Sequence, residues 1–252
     1  MSRAHVKLYG ERNTGTNYLS RLIALNLDVI EIPGVVPPRV MRLQERLPGE
    51  ELVRDIYFAL NWRRTLGWKH ALMKPAHILE RYARAFANPV VVTLTKNPYS
   101  WLVSLYRRPY HQQYPQGKPD FETFLRQPWK TVFRDNAPRR LSSPVELWNI
   151  KNAAYLTSAR ALPIVNLTFE ALLADPAGII DDLARRFGWS RLSPDFVNHE
   201  ASTKESGKDS GFYSDYYARE RWKDSLTPQA VALVNERVDQ ALMRHFGYER
   251  LG

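Results

Sequence analysis

The sequence predicts an α/β fold in which helices cover both faces of a central parallel sheet. Short runs rich in β-branched residues alternate with segments of helical periodicity, which is the pattern of repeated strand-helix-strand units. The run Val90–Thr95 follows Pro89 and is apolar enough to be a central strand buried on both faces. A chain of 252 residues can form one such domain with a substantial core, so we expect a single domain over residues 1–252.

The individual elements follow from the period of the apolar residues. Strands are expected at Val6–Tyr9, Trp68–Met73, Val90–Thr95 and Leu162–Phe169. Helices are expected at Thr16–Leu27, Ile78–Phe86, Tyr99–Arg107, Pro144–Ala161, Ala177–Phe187 and Pro228–Phe246. Either Ser142 or Ser143 is expected to cap the helix that begins at Pro144, because serine side chains accept hydrogen bonds from the first helical N–H groups.

Three segments show neither the helical nor the strand period of apolar residues: Glu31–Leu66, Arg108–Ser143 and His199–Lys223. They are rich in basic, aromatic or proline residues. Loops of this length are uncommon in a compact domain unless they close over a ligand or are disordered. We interpret them as loops near a binding site.

Composition narrows the classes of function. The formal net charge is +10 and the sequence pI is about 9.8, which favours anionic partners without choosing among them. The chain has no cysteine, which excludes disulfides, thiolate catalysis and cysteine-ligated zinc, and the histidines show no metal-ligand spacing. No apolar run is long enough for a signal peptide or a membrane span, so we expect a cytoplasmic protein without a metal.

The first motif, Gly10-Glu11-Arg12-Asn13-Thr14-Gly15-Thr16-Asn17, lies where the first strand passes into the first helix. Glycines there let the backbone approach an anion, and the first N–H groups of the helix attract it. The glycine spacing equals that of a Walker A loop, but Thr16 and Asn17 replace its lysine and hydroxyl residue. The pattern therefore predicts a phosphate site on a P-loop NTPase-like three-layer sandwich; a glycine turn without function is the alternative.

The second motif runs from Lys96 to Arg107, directly after the buried strand. The carboxyl ends of parallel strands border the ligand crevice of an open α/β sheet. Pro98 is well placed to begin a helix on which Ser104 and Arg107 share a face. Lys96, Ser104 and Arg107 are thus candidates for a second phosphate site, and an ordinary surface helix is the alternative.

Together the two motifs resemble those of sulfotransferases that use 3′-phosphoadenosine 5′-phosphosulfate, over about the first 110 residues. The resemblance implies a soluble, bacterial-type member of that family. It implies that the first motif holds the 5′-phosphosulfate, that Tyr18 stacks on adenine, and that Lys96 and Ser104, eight positions apart, hold the 3′-phosphate. The residues matched to the 5′ site are Asn13, Thr14, Gly15, Thr16 and Asn17.

This chain departs from the family pattern at two positions. The 5′ cation of the family usually stands directly before the serine or threonine, where this chain has Asn13, so we expect Arg12 to reach the same oxygens. The 3′ basic residue of the family is commonly arginine, whereas Lys96 keeps the charge without the bidentate fork.

A third segment, Gly67–Pro75, resembles the part of the family that supplies the catalytic base. Sulfuryl transfer needs a base for the acceptor proton and a cation for the charge that grows on the bridging oxygen. His70 is the expected base, supported by Lys69 or Lys74. The alternatives are that His70 is structural or that His77, Glu80 or Glu11 is the base.

A late basic segment, Ser202–Lys208, resembles in composition the loop that closes over the nucleotide in this family. Lys204 and Lys208 are its candidate binding residues, although the segment lacks the family's compact Arg-Lys-Gly form. A solvated loop is the alternative.

The resemblance implies a transferase that moves a sulfuryl group from 3′-phosphoadenosine 5′-phosphosulfate to a hydroxyl or amine and releases 3′-phosphoadenosine 5′-phosphate. Basic, aromatic loops favour a saccharide or glycoconjugate as acceptor, and a small phenol or a lipid glycan stays open. A P-loop kinase or NTPase would need a lysine and magnesium ligands that the motif lacks. A nucleic-acid-binding protein would explain the charge, but no recognition motif is present, so no nucleic acid partner is expected.

Overall fold

The computed structural model describes residues 3–46, 50–158, 162–200 and 209–252. Within these ranges the strands are β1 (His5–Gly10), β2 (Ile30–Glu31), β3 (Val90–Thr95), β4 (Trp129–Lys130), β5 (Arg140–Leu141) and β6 (Ile164–Thr168). Three of the four strands expected from the sequence are therefore confirmed.

Helices separate the strands of the described part of the chain. The first five are α1 (Thr16–Asn26), α2 (Pro38–Gln44), α3 (Glu50–Leu60), α4 (Trp62–Thr65) and α5 (Ala76–Ala83). The middle five are α6 (Pro98–Arg107), α7 (Phe121–Arg126), α8 (Pro144–Thr157), α9 (Phe169–Ala174) and α10 (Pro176–Phe187). The last three are α11 (Ser210–Ala218), α12 (Pro228–Arg237) and α13 (Gln240–His245). Short 3₁₀ turns occupy Phe133–Asp135 and Arg221–Ser225.

The central sheet has four parallel strands in the order β2-β1-β3-β6, as the alternation of strands and helices predicts. Gly10 of β1 pairs with Leu94 of β3, and Thr95 of β3 pairs with Thr168 of β6. The carboxyl ends of these three strands therefore lie at one edge, where ligands bind in open α/β sheets. Strands β4 and β5 form a separate antiparallel pair.

Helices cover both faces of the sheet, which confirms the three-layer α/β architecture. Leu19, Leu22 and Ile23 of α1 pack with Leu183 of α10 against one face. Leu79 of α5 and the aromatic ring of Tyr155 of α8 pack against the other face, beside Tyr9 and Val91. A third apolar cluster joins α6, α7, α8, α12 and α13. Burial of these apolar side chains holds the strands in place, and it thereby sets the position of their carboxyl ends at the edge of the sheet.

The expectation of a strand at Trp68–Met73 is wrong. The segment is a turn in which the N–H of Ala71 donates to the carbonyl of Trp68 at 2.9 Å. The segment makes no ladder with β1, whose pairing with β2 covers only His5 and Val6. Instead, the backbone of Lys69 joins the segment to the end of β1 through its carbonyl, which accepts from the N–H of Gly10 at 3.0 Å.

A buried lysine of β1 holds the segments that lead into this turn. Lys7 Nζ donates to the carbonyl oxygens of Pro33 at 3.0 Å, Thr65 at 2.5 Å and Gly67 at 2.6 Å. We refer to this arrangement as the Lys7 clasp. Burial lowers the pKa of Lys7 to about 7. The three carbonyl groups compensate for the loss of water around the ammonium group.

The remaining differences from the expected elements lie outside the sheet. The expected helix Pro228–Phe246 is two helices, because Asp239 leaves the helical path and caps α13 by accepting from the N–H groups of Ala241 and Leu242. The three segments interpreted as loops contain helices α2, α3, α4, α7 and α11. Among the described residues no helix is long and apolar enough to cross a membrane.

Candidate active site

The first motif forms a tight loop between β1 and α1. Asn13 and Gly15 both have left-handed backbones, with φ of 67° and 85°. A Cβ at Gly10 would lie 2.6 Å from Thr16 Cγ2 and 2.8 Å from the Leu94 carbonyl oxygen, and one at Gly15 would lie 2.6 Å from the Phe169 ring. Both glycines are therefore required for the loop to lie this close to its neighbours.

The first turn of α1 is open to a ligand. Gly15 provides no side-chain cap, so the N–H groups at the start of the helix have no side-chain acceptor from that position. Thr14 is turned inward: its hydroxyl donates to the Glu11 carbonyl at 2.6 Å and its N–H to the same oxygen at 3.2 Å. The structure thus places Gly15, Thr16 and Asn17 on the open side of the loop and Thr14 on the inner side.

A cavity of about 410 Å³ lies at the carboxyl edge of β1 and β3. The expected site residues that line it are Arg12, Asn13, Gly15, Thr16, Asn17, Tyr18, His70 and Ser104. Its other walls come from Arg107, Arg108, Tyr110, Phe169 and the aromatic residues of α11. We call this the first cavity; its volume is within the usual range of small-molecule sites.

Lys96 lies beneath the wall of this cavity with a 1% exposed side chain. Its ammonium group donates to Ser104 Oγ at 3.0 Å and to the Tyr217 hydroxyl at 2.6 Å. It also lies over the rings of Phe169 and Tyr217, at 4.9 and 4.2 Å from their centroids. Burial lowers the pKa of Lys96 to about 7. The expected pairing of Lys96 with Ser104 is thus present in the geometry.

Arg107 lines the same wall from the last turn of α6. Its guanidinium donates to the Tyr216 hydroxyl at 3.3 Å and to Ser225 Oγ at 3.0 Å. Asn97 fixes the start of α6 by accepting from the N–H of Tyr99 at 3.1 Å. One helix therefore carries both Ser104 and Arg107 toward the first cavity.

Arg12 lies between aromatic rings. Its guanidinium carbon is 4.7 Å from the Trp68 ring centroid and 4.3 Å from that of Tyr110. One guanidinium nitrogen donates to His111 Nδ1 at 3.1 Å, while His111 Nε2 donates to the Lys130 carbonyl at 2.7 Å. Burial lowers the pKa of the Arg12 guanidinium. These contacts hold one cation at a fixed place beside the loop between β1 and α1.

Lys69 and His70 both reach the loop, because the turn frees them from the alternation of a strand. Lys69 Nζ donates to Asn17 Oδ1. His70 Nδ1 donates to the Gly10 carbonyl at 2.6 Å, so the proton of the neutral ring is on Nδ1 and the basic lone pair is on Nε2. Burial, and then the nearby Lys69, lower the pKa of His70 well below its ordinary value. His70 is therefore neutral at pH 7, with Nε2 unprotonated and less basic than in an exposed histidine.

An ion pair that the sequence did not indicate supports this turn. Lys151 Nζ of α8 contacts the Glu11 carboxylate and donates to the His70 carbonyl oxygen. The second Glu11 oxygen accepts from the N–H of Arg12 at 2.6 Å. Glu11 is thus engaged by a buried cation and does not line the first cavity.

The other candidate bases and cations lie elsewhere. Lys74 Nζ is 4.9 Å from the Trp62 ring centroid and lines a different cavity. His77 and Glu80 are exposed on α5, and Glu80 pairs with Arg84 at 3.2 Å. Lys204 and Lys208 lie outside the described residues.

Several residues of the site were missed at the sequence level. Tyr217, Tyr110 and Lys151 contact the candidate residues but belong to segments that carry no motif, and Trp68, inside the segment Gly67–Pro75, was not singled out. Only the cluster of aromatic residues around Tyr217 gave a signal, through its composition. Tyr18 lines the first cavity as expected, and its hydroxyl donates to Asn198 Oδ1 at 2.8 Å.

No protein-family model and no curated protein matches this chain. Among solved structures, a sulfotransferase domain from the curacin biosynthetic pathway aligns over 100% of this chain and 99% of its own, with 12% identity and a TM-score of 0.51. The chain has the sulfotransferase fold.

Two further sulfotransferases align at lower TM-scores. The domain from the Synechococcus PCC 7002 olefin synthase covers 93% of this chain and 94% of its own, with 13% identity and a TM-score of 0.47. The enzyme from Alicyclobacillus acidocaldarius covers 97% of this chain and 100% of its own, with 15% identity and a TM-score of 0.42. At these identities the likeness concerns the fold, and function has to be argued from the site.

Proposed function

We propose that this protein is a sulfotransferase that takes its sulfuryl group from 3′-phosphoadenosine 5′-phosphosulfate and transfers it to a hydroxyl or amine. One observation carries the proposal: two cationic positions follow neighbouring parallel strands, and a neutral histidine lies next to the first of them. The loop after β1 offers a helix N-terminus, and Lys96 after β3 contacts Ser104. A donor with phosphate groups at its 3′ and 5′ positions requires two such sites.

The loop after β1 fits the 5′-phosphosulfate. The N–H groups at Gly15, Thr16 and Asn17 begin a helix, and a helix N-terminus attracts anions through its dipole and its free donors. Arg12, which belongs to the loop, and Lys69, which contacts Asn17 from the neighbouring turn, supply positive charge. Arg12 and Lys69 would together replace the cation that the family carries at the position of Asn13.

The second position fits the 3′-phosphate. Lys96 and Ser104 lie 3.0 Å apart, and Arg107 lines the same wall of the first cavity. A phosphate dianion would favour the charged form of Lys96, whose pKa burial has lowered to about 7. The aromatic residues of α11 would then face the nucleotide, with Tyr18 as the proposed partner of the adenine ring.

The proposed chemistry needs one proton acceptor and one source of positive charge. His70 Nε2 takes the proton of the acceptor hydroxyl as the hydroxyl oxygen forms its bond to sulfur. The bond from sulfur to the bridging phosphate oxygen breaks, and that oxygen keeps the electron pair. Lys69 and Arg12 stabilise the charge that develops there. The products are the sulfated acceptor, 3′-phosphoadenosine 5′-phosphate and a protonated His70.

The proposed acceptor is a saccharide or glycoconjugate. Arg108 and Tyr110 add a basic and an aromatic side chain to the first cavity, and Tyr213 and Tyr216 line its opposite side. Basic groups and tyrosine rings suit an acceptor with several hydroxyl groups or with acidic substituents. This assignment rests on the chemical character of the walls.

Calorimetric titration tests the proposal most directly. Binding of 3′-phosphoadenosine 5′-phosphate is expected to be much tighter than binding of AMP, and independent of Mg²⁺. ATP is the control for a kinase or NTPase. Tighter binding of ATP, with a requirement for Mg²⁺, would contradict the proposed function. Equal binding of AMP and the 3′-phosphorylated nucleotide would show that Lys96 and Ser104 do not bind a 3′-phosphate.

A further inference from the structure

A second cavity, of about 560 Å³, lies between α3, α4, α5 and the 3₁₀ turn at Phe133–Asp135. Aromatic rings form much of its wall: Phe58, Trp62, Tyr82 and Phe133. Phe58 is almost fully buried, whereas Phe133 is 56% exposed at the rim. Its volume falls within the range of small-ligand sites, and neither motif of the sequence accounts for it.

Two cations of this second cavity lack a carboxylate partner among the described residues. Lys74 Nζ lies 4.9 Å from the Trp62 ring centroid, and the Arg139 guanidinium lies 5.4 Å from that of Phe133. Both cations therefore lie over aromatic rings and stay available to an anion. No carboxylate is among the described residues that line this cavity.

A third cation, Arg134, is already neutralised. Its guanidinium pairs with the Glu51 carboxylate and, at 2.8 Å, with Asp55 Oδ1. Asp55 also accepts from the N–H groups of Phe133 and Arg134, at 3.0 and 3.2 Å. Arg134 thus fixes the 3₁₀ turn to α3, and the charge offered to a ligand comes from Lys74 and Arg139.

The aromatic wall also holds a polar donor without an acceptor. Trp62 Nε1 is buried and has no hydrogen-bond partner among the described residues. A buried N–H without an acceptor costs free energy, and native proteins rarely keep one unless a ligand or water completes it. Asn136 secures the opposite wall by donating to the Leu72 carbonyl at 2.9 Å.

We propose that the second cavity binds a small amphiphilic anion, with an apolar or aromatic body and one carboxylate, sulfate or phosphate group. The aromatic rings cover the body of the ligand, and Lys74 and Arg139 bind its anionic group. The ring of Trp62 forms part of the wall that covers the ligand. The inference does not depend on sulfuryl transfer in the first cavity.

Fluorescence titration with 1-anilinonaphthalene-8-sulfonate tests this proposal, because this dye joins an aromatic body to one sulfonate. The double variant Lys74→Ala/Arg139→Ala is expected to weaken dye binding by at least about tenfold, since two charge-assisted contacts are lost. Binding of the uncharged analogue N-phenyl-1-naphthylamine is expected to change less than about twofold, because it makes no such contacts.

The matched control is Arg185→Ala/Arg186→Ala on α10, which removes the same charge from an exposed helix that lines neither cavity. It is expected to leave dye affinity unchanged. An equal loss in both double variants would show a general charge effect and overturn the proposal, as would equal weakening of the charged and uncharged dyes.

The indole N–H resonances of ¹⁵N-labelled protein give a second readout that does not depend on affinity. The signal assigned by Trp62→Phe is expected to shift when the sulfonate dye saturates the protein, because the aromatic dye lies against the Trp62 ring. A dye that binds without moving this signal occupies another site, and the assignment of the second cavity would then be wrong.

Discussion

Glu11 and Lys151 form an ion pair whose side chains are only 8% and 1% exposed, and the same ammonium group donates to the carbonyl of His70. Removal of one partner from a buried pair leaves a charge without compensation, at a cost of about 3–5 kcal/mol. Lys151→Met is therefore expected to lower the free energy of unfolding by about that amount, as measured by urea denaturation.

The double variant Glu11→Gln/Lys151→Met is the control for this pair. It removes both charges, so we expect it to recover most of the stability that Lys151→Met loses. A single variant as stable as the wild type would show that the pair contributes little, and a double variant less stable than the single one would contradict the ion-pair explanation.

The second prediction concerns the 3′-phosphate. Lys96→Ala is expected to weaken 3′-phosphoadenosine 5′-phosphate by roughly 10–150-fold, the equivalent of about 1.5–3 kcal/mol for one charge-assisted bond. Adenosine 5′-phosphosulfate has no 3′-phosphate, so its binding is expected to change little. Calorimetry with both ligands checks this, with the surface variant Lys118→Ala as the control. Equal losses for the two ligands would place Lys96 outside the 3′ site.

The third prediction follows from the pKa of Lys96, which burial lowers to about 7. Above pH 7 the free protein holds Lys96 mostly neutral, and a bound phosphate restores its charge. Nucleotide binding at pH 8 is therefore expected to take up about one proton, and affinity to fall as pH rises from 7 to 9. Lys96→Arg stays charged throughout, so it should bind without that proton uptake.

Calorimetry in buffers of different ionisation enthalpy measures the proton uptake directly. The wild type and Lys96→Arg are compared at the same pH, so that other titrating groups contribute equally. If both proteins take up the same number of protons, the titrating group is not Lys96.

The fourth prediction concerns Arg12, which is fixed between Trp68 and Tyr110. Arg12→Ala is expected to lower kcat more than nucleotide affinity, because charge on the departing phosphate is greatest in the transition state. Steady-state kinetics and equilibrium binding are measured on the same preparation. Full turnover in Arg12→Ala would assign the stabilising charge to Lys69 alone.

The fifth prediction tests the base. His70→Ala is expected to lower the rate by about 10²–10⁴-fold while nucleotide affinity stays near that of the wild type. The lowered pKa of His70 puts the acidic limb of the pH–rate profile below pH 6.5, and this limb should vanish in the variant. His77→Ala, at an exposed position on α5, is the control. Parallel loss of rate and binding would make His70 a structural residue.

Local patterns were sufficient to predict three strands of the sheet and the tight loop after β1. The run Val90–Thr95 is a central strand because its apolar residues can be buried only between two neighbouring strands. The predicted pairing of Lys96 with Ser104 is present as a direct contact. The contact forms because Pro98 begins α6 one residue after the cap at Asn97. In both cases, residues close to one another in the sequence are sufficient to predict the structural feature.

The rest of the site depends on contacts between distant residues. Lys151 approaches Glu11 from a helix 140 positions away, and Tyr217 approaches Lys96 from 121 positions away. Nothing in the local sequence around either residue indicates its partner. The apolar residues of Trp68–Met73 led to the expectation of a strand, whereas its backbone turns at Trp68–Ala71 and contacts β1 through the bond from the Gly10 N–H to the Lys69 carbonyl.

The Lys7 clasp implies that the histidine-bearing turn and the sheet are separable parts. The clasp binds the carbonyl oxygens of Pro33, Thr65 and Gly67, which lie outside the turn, and the turn itself contacts β1 through the carbonyl of Lys69. All four oxygens belong to the backbone and are present whatever side chains the turn carries. A replacement segment of the same length would find the same anchor, provided that its backbone returns to the same place. The clasp therefore makes this protein a suitable host for transplanted turns, in which new reactive groups are brought to the loop between β1 and α1 without redesign of the sheet.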